Sequence, residues 1–412
     1  IINGVKAIGS KVYFRTKTPN AAWVTDGSVA GTIMLRNFNN HSSSYVYSPV
    51  FVEHNGEVFF GGQDPNLSNR ATLFKTDGTV SGTVIHHQFG SGITKEPNYL
   101  FSDGEYLYMS CQLATSGAFA RRQPCFTTNS TTVTGIKAIS PSLDADSFIY
   151  GGAANNGSVY FQGRGSNSGM LWKSDRTEAG TVGLQDFSPG HSDGGYPRGF
   201  AKVGSKIVLL ADIGTLNTDL LLFVSSDGTT FEQVLDGNNG FHQVLSRYAT
   251  ISASGNRAYY VNSERKLVYT DGNTSHLIPD LIALGIGSSR SEKLPTYNGK
   301  LLTLETNQAF PKFILLDMDT LQRTSLGFAP IVGSRSSNPY MQGSAGADRC
   351  VFATDMDDYI WVTDGSAVGT RKVFSPVTYG EMAVLSTDKM AIEVREGRSN
   401  NIDFVSLSRN HP

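Results

Sequence analysis

Apolar and polar residues alternate with period two in short runs along the whole chain. Lys11-Val-Tyr-Phe-Arg-Thr, Glu57-Val-Phe-Phe-Gly-Gly and Ser158-Val-Tyr-Phe-Gln-Gly are examples, rich in the β-branched and aromatic residues that suit a pleated, half-buried surface. Each run follows a two-residue hairpin signal: Gly9-Ser10, Asn55-Gly56, Asp103-Gly104, Asn156-Gly157, Gly204-Ser205, Ser254-Gly255 or Asn298-Gly299. Asn-Gly and Asp-Gly suit such turns because both central positions need positive φ. Helical periodicity does not exceed about two turns, apart from the ambiguous Ile278–Leu284.

After each run comes a second signal, Trp-Val-Thr-Asp-Gly-Ser-Val-Ala-Gly-Thr at 23–32, repeated at 74–83, 172–181 and 361–370. Worn copies surround Asn129, Asp227, Asp271 and Asp317. Aligned on the acidic turn residue (Asp26, Asp77, Asn129, Asp175, Asp227, Asp271, Asp317, Asp364), the steps are 51, 52, 46, 52, 44, 46 and 47 residues. A near-fixed period in this range marks an array of similar units. Each unit reads as a four-stranded antiparallel meander, which cannot bury both faces alone. Stacking copies and closing the ring predicts an all-β fold, an eight-bladed β-propeller of four-stranded antiparallel blades.

The stretches Met382–Thr387, Lys389–Glu396 and Ile402–Ser408 predict three further strands. Segment 376–412 is therefore an extra or ring-closing piece, and nine blades is the alternative count. Residues 1–412 read as one closed domain and one monomeric ring. The Thr-Asp-Gly phrase itself reads as architecture: Asp accepts backbone N–H groups within the turn, Gly takes positive φ, and the preceding aromatic packs between blades.

Composition narrows the function. Net charge is −2 and 17% of residues are charged, without the concentrated basic face that nucleic acid requires. No run of 18 apolar residues provides a membrane span. The absence of a signal-peptide pattern at Ile1 is expected of a mature or excised chain. Of the three cysteines, Cys111 and Cys125 take the places of Gln63 and Leu73 of the second repeat, close across a hairpin, so a disulfide and a site outside the cytoplasm are predicted. Cys350 reads as a small core residue.

Candidate chemistry lies where the repeats disagree. The fourth-to-first connections Asn39–Ser48, Phe187–Pro197 and Gly237–Ser246 are long, as are the second-to-third connections Gln63–Ala71 and Gln112–Pro124. They and their edges carry Tyr45, His191 and Phe241, and the residues chosen as ligand-binding: Tyr47, Tyr196, Arg198, His242, Arg247 and, in a later loop, Tyr340. Aromatic faces beside Arg, His and Asn donors suit sugars, with their C–H faces and hydroxyl rims.

The acidic groups Asp144/Asp146, Asp317/Asp319 and Asp355/Asp357/Asp358 offer too few oxygens for calcium on their own and lack an EF-hand loop. No cofactor is expected, with a structural calcium ion left open. Ser225–Phe231 resembles a sialidase Asp-box with its Gly one place early, a structural element in any case. Gly-x-Ser-x-Gly, His-Glu-x-x-His, Cys-x-x-Cys and phosphate-loop patterns do not occur. His86 and His87, being adjacent on a strand, point to opposite faces.

The phrase Trp-x-Thr-Asp-Gly-Thr-x-x-Gly-Thr resembles the "ELWxTDGTxxGT" repeat of secreted bacterial proteins, over almost the whole chain. Within that group, eight units with long loops and no catalytic motif resemble the propeller of secreted biofilm-matrix adhesins of vibrios. That resemblance implies attachment to biofilm exopolysaccharide or surfaces, with a β-prism lectin domain inserted in the propeller. No β-prism is visible here. The leading expectation is a non-catalytic, extracellular carbohydrate-binding adhesin module. The alternatives are a polysaccharide lyase or glycosidase working at the channel mouth, for which two carboxylates about 5–10 Å apart are wanted, and a protein-docking ring.

Overall fold

The computed structural model describes all residues except 1, 18, 29, 39–50, 68–69, 94–95, 114, 116–122, 128–135, 139–151, 165–168, 190–194, 214–219, 239, 245–250, 284–293, 295, 307–310, 330–342, 346–349, 354–359, 375–378, 387–388, 397–398 and 407–412. The chain is all-β and its sheets are antiparallel meanders in sequence order. It divides into two units, Ile1–Arg198 and Gly199–Pro412.

The first unit holds four four-stranded sheets, I (2–37), II (51–88), III (98–138) and IV (152–185). Sheet II is representative: Phe51–His54, Glu57–Asp64, Arg70–Thr76 and Val84–Gln88, with Phe60 opposite Phe74 across its middle hairpin. Apolar side chains of one sheet meet those of the next. Tyr13, Ala22, Val24, Leu35 and Phe38 of sheet I pack with Phe51, Phe60 and Phe74 of sheet II. Phe59 and Leu73, on the other face of sheet II, pack with Leu100, Leu107 and Met109 of sheet III. Tyr108 and Phe126 then meet Val159 and Phe161 of sheet IV. The core therefore lies between sheets, which is why both faces of the middle strands are buried and why a lone meander would not hold.

The second unit holds sheet V (198–233, whose first residue Arg198 ends the first unit), then VI (252–283), VII (296–328), VIII (343–374) and a three-stranded sheet IX, Tyr379–Ser386, Lys389–Glu396 and Ser399–Ser406. Its core repeats the plan, with clusters bridging V to VI, VI to VII and VII to VIII. Sheets VI and VII run together through strand Ser275–Ala283, which takes in all the described residues of Ile278–Leu284, the stretch of ambiguous helical periodicity. The strand's first residues pair with Val268–Thr270, and Leu281–Ala283 pair with Thr303–Glu305. Asp280, at φ 64°, turns the strand between its two partners. Two flanking strands supply backbone partners that an isolated helical turn would lack, so the extended form wins.

Cys111 and Cys125 are joined by a disulfide with Cα atoms 5.9 Å apart. Cys111 lies opposite Gln123 and Cys125 opposite Met109, so the bond is diagonal across the hairpin of sheet III. Cys350 is 1% exposed between sheets VII and VIII, and burial pushes its thiol pKa up to about 12.

Candidate ligand-binding end of the sheets

Each meander has two ends, and the phrase Thr-Asp-Gly-Ser/Thr-x-x-Gly-Thr fixes one of them. In sheet II, Asp77 Oδ1 accepts from the Thr79 N–H (2.8 Å) and hydroxyl (2.7 Å), and Thr79 Oγ1 accepts from the Gly82 N–H (2.9 Å). The Thr83 hydroxyl donates to the Thr79 carbonyl (2.5 Å), leaving the Thr76 hydroxyl to donate to Thr83 Oγ1 (2.8 Å) and accept from the Gly78 N–H (2.9 Å). A Cβ on Gly82 would lie 2.1 Å from Asp77 Oδ1, so the second Gly is required because the carboxylate folds over it. The same bonds recur around Asp26 and Asp364. These bonds, the Thr79 hydroxyl first, hold the Asp77 carboxyl below its ordinary pKa.

This end also latches one sheet to the next. Lys11 of sheet I donates to the Asp77 and Gly78 carbonyls, both at 3.3 Å, and Lys206 of sheet V to the Gly272 carbonyl at 2.9 Å. Arg257 and Tyr259 of sheet VI donate to the carbonyls of Asp319 and Met318. Between sheets III and IV the direction reverses. Arg176 stands where other copies have Gly and keeps a positive φ of 74°. It donates to Tyr108 Oη (3.1 Å) and the Gly157 carbonyl (3.0 Å) and stacks 4.2 Å from the Tyr106 ring centroid. These uses are structural, and they consume the donors and acceptors of the repeat. Asp317 is committed in the same way, to the N–H groups of Asp319 and Thr320 and the Thr320 hydroxyl.

The other end is where fourth-to-first and second-to-third connections meet. In the second unit the segment Asp236–Val244 ends along the hairpin Asn262–Lys266, where Val244 bridges to Asn262 and the Ser263 N–H donates to the Gln243 carbonyl at 2.7 Å; at its start Asp236 bridges to Ser275, which lies opposite Thr270. Asp236 closes a loop by accepting from the N–H groups of Asn238 and Gly240, both at 2.8 Å. Asn262 shapes the facing hairpin by accepting from Glu264 and Lys266 N–H groups. Phe241, in this segment, is 55% exposed and precedes the half-buried His242.

His242 acts electrostatically on both nearby carboxylates. Backbone donors from Asn238 and Gly240, then His242, hold the Asp236 pKa below its ordinary value. Lys266, 2.8 Å from Glu264, does the same for that residue with a contribution from His242.

In the first unit, Arg198 donates from Nε to the Tyr196 carbonyl at 3.0 Å, and its guanidinium carbon lies 6.0 Å from that ring centroid. The structure thus brings Tyr196 and Arg198 together, and places His242 in the Phe241 loop. Tyr47, Arg247 and Tyr340 lie outside the described residues, as do Tyr45, His191, Asn129, Asp144, Asp146, Asp355, Asp357 and Asp358. Among the described residues no group of three or more His, Cys, Asp or Glu side chains is arranged to hold a metal ion.

Polar groups that loop-based reasoning missed sit inside strands at this end. Arg15 is 3% exposed. It forms a bidentate pair with Glu96 (2.6 and 2.9 Å), donates twice to Asn20 Oδ1 and lies 4.7 Å from the Phe38 ring centroid. Arg36 donates to Asp64, itself 1% exposed, at 2.8 Å. Their signal was a charged residue interrupting an apolar strand, the second of sheet I for Arg15 and the fourth for Arg36.

No family model and no curated protein matches the chain. Solved structures similar to it include an oligogalacturonate lyase in complex with manganese (10% identity, TM-score 0.41, 99% of this chain and 98% of that one). The β-propeller domain of the Trilobed protease from Pyrococcus furiosus is similar at 12% identity and TM-score 0.37, over 78% of this chain and 95% of that one. Puromycin hydrolase is similar at 12% and TM-score 0.40, over 78% of this chain. The chain spans 52% of puromycin hydrolase and 41% of the tricorn protease chain. Likeness at this level transfers no activity to the chain. No described helix is long and apolar enough to cross a membrane.

Proposed function

We infer that the protein is a non-catalytic, extracellular polysaccharide-binding module, with its meanders forming the blades of one eight-bladed β-propeller. The observation that carries the reading is the exposed Phe241 ring, next in the chain to His242, which acts on the carboxylates of Asp236 and Glu264. An aromatic face for sugar C–H groups, rimmed by hydrogen-bonding groups, is the arrangement a saccharide requires. The in-order stacking within each unit supports the propeller, with sheet IX the ninth blade of the alternative count. The disulfide supports an oxidising compartment. Attachment to a biofilm matrix or surface glycan follows from the repeat's resemblance to secreted adhesins.

A glycan array and pull-down with matrix polysaccharide test this, with product release assayed in parallel. Retention without new reducing or unsaturated ends is expected. Phe241→Ala weakens binding about three- to tenfold, the worth of one ring contact. Chain cleavage would establish the enzyme alternative, and retention of protein in preference to sugar the docking ring.

A further inference from the structure

We propose that the face between sheets I and II, at their ends away from the Thr-Asp-Gly turns, is a subsite for an oxyanion carried by the polysaccharide: a uronate carboxylate or a sulfate ester. The proposal rests on the polysaccharide-binding reading and adds the charge class of the ligand. Phe74, Thr72, Arg70, Asp64 and Gln88 share one face of sheet II, because Asp64 lies opposite Arg70 and Thr72 opposite Gln88. Arg36 of sheet I lies against that face, its guanidinium carbon 5.3 Å from the Phe74 ring centroid.

Two guanidiniums face one carboxylate there, and that carboxylate is spent. Asp64 Oδ2 accepts from Arg36 at 2.8 Å and Oδ1 from the Asn66 N–H at 3.0 Å. Arg70 Nε and Gln88 Nε2 are buried atoms with no hydrogen-bond partner among the described residues, although both residues are only half-buried overall. Buried donors are nearly always satisfied, so an orphaned guanidinium N–H on the same face as an orphaned amide N–H, with a surplus positive charge, calls for an anionic acceptor. Arg36, whose side chain is 28% exposed, keeps the face open to solvent. Guanidinium forks match the planar oxygens of carboxylate and sulfate, and Phe74 beneath Arg36 fixes that fork in place.

The test titrates the intact protein with oligomannuronate, dextran sulfate and neutral dextran at low and physiological salt. It is repeated on Arg70→Gln, Gln88→Leu and Phe241→Ala, with thermal melts showing which variants are folded. The expected result is preference for an acidic probe over dextran, falling about tenfold in Arg70→Gln and measurably in Gln88→Leu. Should Arg70→Gln not fold, Gln88→Leu decides. Which acidic probe is preferred separates uronate from sulfate. Equal binding of acidic and neutral polymers, or an acidic preference untouched by Arg70→Gln and Gln88→Leu, overturns the subsite while leaving polysaccharide binding intact. No binding of any polymer, on this assay and on the array, overturns both.

Discussion

A methyl group on Gly82 would collide with the Asp77 carboxylate, and that carboxylate cannot swing aside without releasing the Thr79 N–H and hydroxyl. Gly82→Ala is therefore expected to destabilise by about 1–2 kcal/mol, the cost of the lost hydrogen bonds. In the Asp77→Ala background the same change has little further effect, a coupling that a double-mutant cycle in urea measures. Acid acts on the same scale. His54 Nε2 accepts from the Asn55 amide at 3.1 Å, so its Nδ1–H donates to Ser102 Oγ at 2.7 Å and the ring is neutral. Burial above all holds His54 and His86 below the ordinary imidazole value of 6.5. The unfolded chain takes up these protons first, so stability is full above 6.5 and falls as pH drops through the lower folded values. A second loss follows below 3.8, where the turn carboxylates Asp77 and Asp175, held low by the Thr79 and Thr177 hydroxyls, are protonated. Denaturant melts from pH 7.5 to 3 measure both, and His86→Gln flattens the first.

Among elements, the fourth-to-first connection before sheet III is pinned by a buried ion pair. Arg15→Met removes the bidentate partner of Glu96, 11% exposed, and is expected to cost about 3–5 kcal/mol. Arg15→Met/Glu96→Met recovers much of that loss, because no uncompensated charge remains; urea midpoints compare the three. The Cys111–Cys125 bond closes a hairpin across a separation of 14 residues. Replacing both by Ser is expected to cost about 3 kcal/mol, the loop-closure term for a loop of that length, and to abolish the effect of reductant on the wild-type melt. These elements differ in how far the chain announces them. The hairpin and the repeat could be read directly, since Asn-Gly turns and a carboxylate over Gly are local chemistry. Arg15–Glu96 could not, because its partners are 81 residues apart and meet only when three sheets stack. Strand Ser275–Ala283 was ambiguous for the same reason: its extended form depends on neighbours on both sides.

At the scale of the whole molecule, repetition and function divide between the two ends of each meander. The Thr-Asp-Gly end uses its hydroxyls, carboxylates and carbonyls to close turns and latch neighbouring sheets, leaving little for a ligand. The opposite end is built from connections of unequal length and carries Phe241, His242, Arg36 and Arg70. Phe241 and His242 were visible as loop residues of sugar-binding type. Arg36 and Arg70 were hidden within strands, where only the facing sheet reveals that Asp64 is already committed. The central claim is that a polysaccharide is held at this second end. Amide hydrogen exchange of the intact chain, with and without the glycan it binds best on the array, tests it most directly. The account predicts slowed exchange over 236–244 and 262–266, with the repeats around Asp26, Asp77, Asp175 and Asp364 unchanged. Slowed exchange at those Thr-Asp-Gly turns, with none at Phe241 and its facing hairpin, would contradict it.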